Sequence, residues 1–315
     1  MLRYVLRRLA LLIPVLIGMS IVVFVLMAVV PGDPALAILG PYATDENLAQ
    51  LRRELGLDKP LLTRYVIWLG NLLQGDFGRS VTLQRPVLDE VLERLGPTLL
   101  LSASALFVAS GIGLAAGMLA AVYHRRWQDR LLTLLVLVGI STPSFWLALL
   151  FMLLFAVWLN WLPVSGMYAV YGGGGVVDLL RHLMLPTLSL ALIAGGVIAR
   201  LTRTATLDIL SQDYIRMARA NGLTKRQLLY RHALKNAAAQ VTPVIGLQAG
   251  FILGGAVYIE TVFQWPGLGR MLVDAIASRD LLLVQGGVLV LGTAYVLVNL
   301  TTDVVQCWLD PRIRL

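Results

Sequence analysis

The stretch Leu9–Val30 reads LALLIPVLIGMSIVVFVLMAVV and holds no Asp, Glu, Lys, Arg or His. About 20 consecutive apolar residues are what an α-helix needs to cross a bilayer. Hydrocarbon offers no water to the backbone N–H and C=O groups, so such a run must satisfy them within itself, as a helix. Five further stretches share its character: Pro97–Val122, Leu131–Leu159, Leu183–Ala199, Val241–Ile259 and Leu281–Thr302, none with Asp, Glu, Lys, Arg or His. The fourth is the shortest. The third is long enough to tilt, and Pro143 predicts a kink in it. The fold class that follows is an all-α polytopic membrane protein with six transmembrane helices.

Composition points the same way. Of 315 residues, 58% are hydrophobic and 14% charged, and mean hydropathy is +0.77. A soluble domain is about 25% charged, and disorder requires low hydrophobicity with high charge, so both classes are excluded. Arg3, Arg7 and Arg8 before the first stretch imitate a signal peptide. The apolar run exceeds the ~7–15 residues of such a peptide's core and no A-x-A site follows, so the helix reads as retained. The single cysteine, Cys307, excludes an internal disulfide framework and a multi-cysteine metal site, and reads as a small buried residue.

The loops set the orientation. Loops joined to the termini by an even number of spans carry sixteen basic and five acidic residues; the opposite side carries ten and thirteen. The positive-inside rule places both termini in the cytoplasm. The net charge of +8 is thus a topology signal, which argues against nucleic-acid binding. The chain divides into residues 1–30 (cytoplasmic N-terminus and first span), 31–96 (an external helical loop), 97–302 (the core with spans two to six, including a cytoplasmic coupling loop at 200–240) and 303–315 (cytoplasmic C-terminus).

Two loops are too long to be bare connectors. In the external one, Pro31-Gly32-Asp33-Pro34 stops the first span. Helices are expected over Asp45–Leu55 with Gly56 as its stop, from Lys59-Pro60 to Gly75, and as a third short piece after Pro86. They read as interfacial helices on the outer leaflet, as a docking platform for an external protein, or as both. In the cytoplasmic one, Asp213 is expected to cap a helix through Ala220 that Gly222 ends in the left-handed conformation. Thr224 and Gln227 form a capping box for the next helix. The result is a basic helical hairpin, either resting on anionic lipid or gripped by another protein.

The segment Arg216-Met217-Ala218-Arg219-Ala220-Asn221-Gly222-Leu223, with Leu234 beyond it, resembles the EAA loop of ATP-binding-cassette (ABC) importer permeases. Ala218, Gly222 and Leu234 fit that pattern; Arg216 stands where the family has Glu and Lys235 where it has Pro, so a salt bridge from that Glu does not carry over. Leu6-Arg7-Arg8-Leu9, Pro31-Gly32-Asp33-Pro34, Leu55-Gly56-Leu57-Asp58-Lys59-Pro60, Gly75-Asp76-Phe77-Gly78, Trp265-Pro266-Gly267-Leu268-Gly269-Arg270, Val284-Gln285-Gly286-Gly287 and Asp310-Pro311-Arg312-Ile313-Arg314 are similar, in order and spacing, to the dipeptide/oligopeptide/nickel permease family. The first-loop fragments look most like its dipeptide and glutathione branches. Gly172–Gly175 look like a local insertion.

The resemblance implies a type I ABC importer permease fold with a cytoplasmic coupling helix, in the bacterial inner membrane. It implies a homologous second permease, two cytoplasmic ATP-binding subunits holding ATP and magnesium, an external solute-binding protein and surrounding lipid as partners. The expected ATPase-coupling residues are Arg216, Ala218, Arg219, Gly222, Lys225 and Leu234. The external loop is the expected contact for the binding protein, at Asp58, Gln74 and Arg79. The expected cargo is a di- or oligopeptide, with glutathione or a nickel chelate as the alternatives.

The residues themselves carry no catalytic pattern. There is no G-x-x-x-x-G-K-[ST], H-E-x-x-H or G-x-S-x-G, and His124, His182 and His232 fall in three different loops. No catalytic residue, cofactor or metal site is therefore expected in this chain. Span hydroxyls such as Ser102, Ser104, Ser141 and Thr142 read as packing groups. A secondary transporter usually needs ionisable groups at mid-membrane; Glu260 and Asp303 lie only at span ends. That weakens a secondary transporter, and a membrane scaffold is the other remaining class. Gly113-x-x-x-Gly117 and Gly250-x-x-x-Gly254 predict close helix packing, within the subunit or against a partner.

Overall fold

The computed structural model describes residues 2–29, 34–40, 43–54, 56–224, 227–229, 233 and 235–309. In chain order the helices are α1 (Leu2–Val29), α2 (Pro34–Leu39), α3 (Asp45–Glu54), α4 (Leu61–Leu73), α5 (Val87–Val122), α6 (Trp127–Ser141), α7 (Ser144–Phe151), which continues as a π-helical segment Met152–Trp158, α8 (Val176–Ser211), α9 (Asp213–Ala220), α10 (Lys235–Val262), α11 (Leu268–Ala277) and α12 (Leu281–Leu309). Among the described residues there is no sheet, only an isolated antiparallel bridge between Arg79 and Pro86. Five helices are long and apolar enough to cross a membrane, and α6 with α7 and its π-segment makes a sixth if counted as one span. The six expected spans are therefore present.

Three local expectations are corrected. The third span is broken rather than kinked, with its halves bent by 108°. Proline disfavours the helical region for the residue before it, and Thr142 accordingly sits extended at φ −92°, ψ 130°. The helix after Pro86 is not separate, because α5 runs 36 residues from Val87 straight into span two. Its first turns are charged, yet Glu90 is buried and paired with Arg85 and Arg94, both at 2.9 Å. Finally, α11 was not anticipated. Its short amphipathic stripe is too brief to register as a span.

The chain forms two compact units. One comprises Thr98–Trp265 and Leu297–Leu315, with Met1. Its core is α8, the most deeply buried of the spanning helices, against which α6, α7 and α10 pack. The sequence explains the closeness. Ala191, Ala194, Gly195, Gly196 and Ala199 put small buried residues along α8, and small residues let helix backbones approach. Gly113 and Gly117 of α5 meet that surface: a Cβ at Gly113 would lie 2.7 Å from Ile198 Cβ, and one at Gly117 2.6 Å from Thr202 Cβ. This first small-residue motif thus packs within the subunit. At Gly254 of the second motif, open space surrounds the Cα.

The other unit comprises Leu2–Pro97 and Pro266–Val296. Val87 and Val91 of α5, Leu268, Met271, Leu272 and Ala275 of α11, and Leu283 and Val284 of α12 form its core. Helix α4 lies on α1 through an aromatic cluster: Phe24 meets Tyr65 edge-on at 5.3 Å and Trp68 at 5.5 Å. The Ser20 and Tyr65 hydroxyls hydrogen-bond at 2.9 Å. As expected, Gly56 (φ 64°) and Gly75 (φ 82°) follow α3 and α4 in the left-handed conformation.

Candidate functional site: the α9 segment

Helix α8 ends at Ser211, whose hydroxyl donates to the Asp208 carbonyl at 2.7 Å. One extended residue, Gln212 (φ −68°, ψ 147°), turns the chain into α9. The expected bounds of α9, Asp213–Ala220, agree with the structure, but its expected cap does not. Gln212 occupies the N-cap position and no side chain caps it; Asp213 lies in the first turn. There its carboxylate complements the positive end of the helix dipole and pairs weakly with Arg216 at 3.5 Å.

The C-terminus of α9 is a Schellman motif. Gly222 stands at φ 84°. Its N–H donates to the Arg219 carbonyl at 3.1 Å, and the Leu223 N–H donates to the Ala218 carbonyl at 3.2 Å. Ala218 and Leu223, at the two ends of the longer bond, are both packed against the core of this unit. The capping box also forms: the Thr224 N–H donates to Gln227 Oε1 at 2.9 Å and the Gln227 N–H to Thr224 Oγ1 at 3.3 Å. The Asn236 amide donates to the Tyr214 hydroxyl at 3.2 Å, closing the hairpin.

The structure separates the expected coupling residues. Arg216, Arg219 and Gly222 are exposed. Ala218 is half-buried and faces inward with Ile215, so it positions the helix. Lys225 and Leu234 lie outside the described residues. The reading of the sequence missed Tyr214 and Met217, which stand exposed three residues apart on α9. Helical spacing puts them on one face, and that periodicity was the available signal.

A second feature was invisible in the sequence. Asp129, in the first turn of α6, is held by Arg203 of α8 through two hydrogen bonds, Nε to Oδ1 at 2.7 Å and Nη2 to Oδ2 at 2.8 Å. The Arg125 N–H adds a third at 3.0 Å, with Arg125 in the left-handed conformation at φ 64°. This clamp ties the short loop before α6 to the helix that leads into α9.

In the loop over residues 31–96, Asp58, Gln74 and Arg79 are all exposed. Arg79 serves its own loop as well, donating from Nε and Nη2 to the Gln84 carbonyl at 3.2 and 3.0 Å. Among the described residues no group of three or more His, Cys, Asp or Glu could hold a metal ion.

Comparison with known proteins places this architecture. Residues 113–315 match the family model described as the binding-protein-dependent transport system inner membrane component. Residues 1–102 match the N-terminal model of the same systems. The glutathione transport system permease protein GsiC of Escherichia coli (strain K12) is 42% identical over 314 residues, covering 100% of this chain and 99% of that protein. The protein of that name from Salmonella typhimurium is equally similar at 42%. In fold the chain resembles the MetNI methionine ABC transporter in inward-facing conformations, at a TM-score of 0.59 and 18% identity, covering 70% of this chain and 96% of that one. With both family models matched in order along a six-span helical chain, the protein belongs to the binding-protein-dependent transport system inner membrane components and is a permease subunit of an ABC importer.

Proposed function

We propose that this permease passes short peptides inward, driven by cytoplasmic ATPases that grip α9, and performs no chemistry of its own. The observation that carries the reading is the rigid exposed turn at Gly222, presenting Tyr214, Arg216, Met217 and Arg219 on a helix anchored from behind by Ile215 and Ala218. ATP binding would draw two ATPases together, and α9 would pass that motion to α8. The spans would then exchange inward- and outward-facing states, a two-state equilibrium biased by ligand.

In this reading a homologous permease completes the translocation path. Both termini face the cytoplasm, and residues 31–96 meet an external solute-binding protein, with Asp58, Gln74 and Arg79 in reach of it. Lys225 and Leu234 join the coupling surface. Glutathione, itself a tripeptide, is the second reading of the cargo. Its support is the end-to-end similarity to glutathione permeases. Uptake of labelled dipeptide and of labelled glutathione by reconstituted importer separates the two.

The test of the mechanism is Gly222→Val. Nothing lies within 4 Å of a Cβ built at Gly222, so the penalty is backbone strain alone: about 1 kcal/mol for any Cβ at positive φ and more for a β-branched one. The variant should insert into the membrane and still accept the binding protein. It should lose co-purification of the ATPase and stimulated ATP hydrolysis. Gly222→Asn, which tolerates the left-handed region, should keep most of both. Full transport by Gly222→Val would mean that the hairpin is a lipid-resting element with no coupling role.

A further inference from the structure

A cavity of about 600 Å³ lies wholly within the unit built from Leu2–Pro97 and Pro266–Val296. That is the size of a small-molecule site. Arg64, Ile67, Trp68 and Asn71 line it from α4, at the i, i+3, i+4, i+7 spacing of one helical stripe. Phe24 of α1 contributes to the wall, and the start of α12 closes it.

Its charge is one-sided. Arg53, Lys59, Arg64 and Arg279 line it against a single carboxylate, Asp280. That carboxylate is buried and already engaged: it accepts from Ser80 Oγ at 2.6 Å, the Thr82 N–H at 3.0 Å and the Leu283 N–H at 3.2 Å. Those bonds hold the 80–82 loop against the head of α12 and preform the wall. Among the described residues no carboxylate lies within salt-bridge distance of Lys59, Arg64 or Arg279. Arg279 is also held at φ 57°, an uncommon conformation for a residue with a side chain.

A second observation points independently to a ligand. Gln285 lines the same cavity and is only 6% exposed. Its amide makes no hydrogen bond among the described residues and is open to the cavity, so a ligand entering there meets an unpaired donor and acceptor.

Depth and polarity choose the ligand. Phe24 sits five residues before the end of the first span at Val29, about 7 Å along a helix axis, within the layer where headgroups meet hydrocarbon. On the face of α4 opposite the cavity stripe, Leu62 and Leu73 are 74% and 81% exposed, an apolar surface that suits a helix lying at the membrane interface. A cationic pocket at this depth, on an interfacial helix packed against a membrane span, matches the anionic head of a lipid. We propose that this cavity is a headgroup site for an anionic phospholipid. Lys59, Arg64 and Arg279 take its phosphate and Gln285 takes a headgroup oxygen. Bound there, the lipid would brace α4 against α1. The proposal is independent of which solute is imported and of the role of α9.

The experiment is native mass spectrometry of the full importer complex, delipidated and then titrated with phosphatidylglycerol or phosphatidylcholine. Wild type should retain phosphatidylglycerol at least tenfold more strongly than phosphatidylcholine. Arg64→Gln with Arg279→Gln should abolish that preference, Arg64→Lys should preserve most of it, and Gln285→Leu should reduce it several-fold. Arg126→Ala with Arg130→Ala, far along the chain and equally cationic, should leave it unchanged. Should the double glutamine variant fail to fold, Arg64→Gln alone gives the reading, against Arg64→Lys. Equal retention of the two lipids would overturn the proposal, and so would unaltered preference in Arg64→Gln. Displacement of phosphatidylglycerol by millimolar inorganic phosphate or by a dipeptide would also overturn it, by showing that the cavity belongs to a soluble anion.

Discussion

Gly113 and Gly117 show how little room a single residue has in this fold. A side chain at either would enter the backbone or β-carbons of α8, which cannot swing aside as a flexible side-chain tip can. Overpacking of this kind costs about 1–3 kcal/mol, so Gly117→Val should lower the melting temperature of the purified subunit. Gly254→Ala, with open space around it, should leave that temperature unchanged. The Asp129–Arg203 clamp makes a second residue-level prediction. Asp129→Ala removes three hydrogen bonds to a carboxylate, two from Arg203 and one from the Arg125 N–H, each worth about 1.5–3 kcal/mol, and Arg203→Lys cannot restore the two-pronged geometry. Both should weaken coupling between ATP hydrolysis and uptake, measured as solute moved per ATP, as well as stability. Legibility at this scale followed distance along the chain. The Schellman turn at Gly222 and the capping box at Thr224 and Gln227 were readable because their partners lie within five residues. Asp129 was not, because its partner is 74 residues away.

Among elements, the broken third span carries the clearest expectation. Unbroken, Thr133 and Leu154 would stand about 31 Å apart at the helical rise of 1.5 Å per residue; a bend of 108° brings them much closer. Spin labels at those positions should report the shorter distance, and Pro143→Ala should shift part of the population toward the longer one by freeing Thr142 for the helical region. The proline was visible in the sequence, but its consequence was underestimated, because a hydropathy run cannot say whether two apolar halves are collinear. The opposite error attended α8. Its apolar run was the shortest of the six because its neighbours are protein: Ser189 and Thr202 donate to carbonyls four residues back, at 2.8 Å each, and small residues replace the bulky ones that lipid-facing helices carry. The shortest apolar run thus marked the centre of its unit. Helix α5 was misjudged at its start, where Glu90 and its arginine partners hid a helix inside a charged stretch.

For the whole molecule, the charge asymmetry sets the orientation test. A cysteine at Asn221, exposed beside the turn, should react with an impermeant thiol reagent only from the cytoplasmic side of sealed vesicles. One at Gln74 should react only from the outside, and the reverse pattern would exchange the roles of the two long loops. Class and span number were legible at this scale because the membrane imposes one requirement on every residue within it, whereas the cavity beside α4 required residues from Phe24 to Gln285 to be brought together. One dimension has a mechanical consequence. Helix α8 is 36 residues long, about 54 Å at 1.5 Å per residue, while the hydrocarbon core is about 30 Å thick. The surplus must emerge as a stiff rod, and α9 is joined to its tip by the single residue Gln212. A tilt of 10° about the rod's middle would sweep that tip through about 5 Å, so a small rotation among packed spans becomes a stroke the width of a side chain, and a push at the tip returns to the packed centre with its force multiplied by leverage.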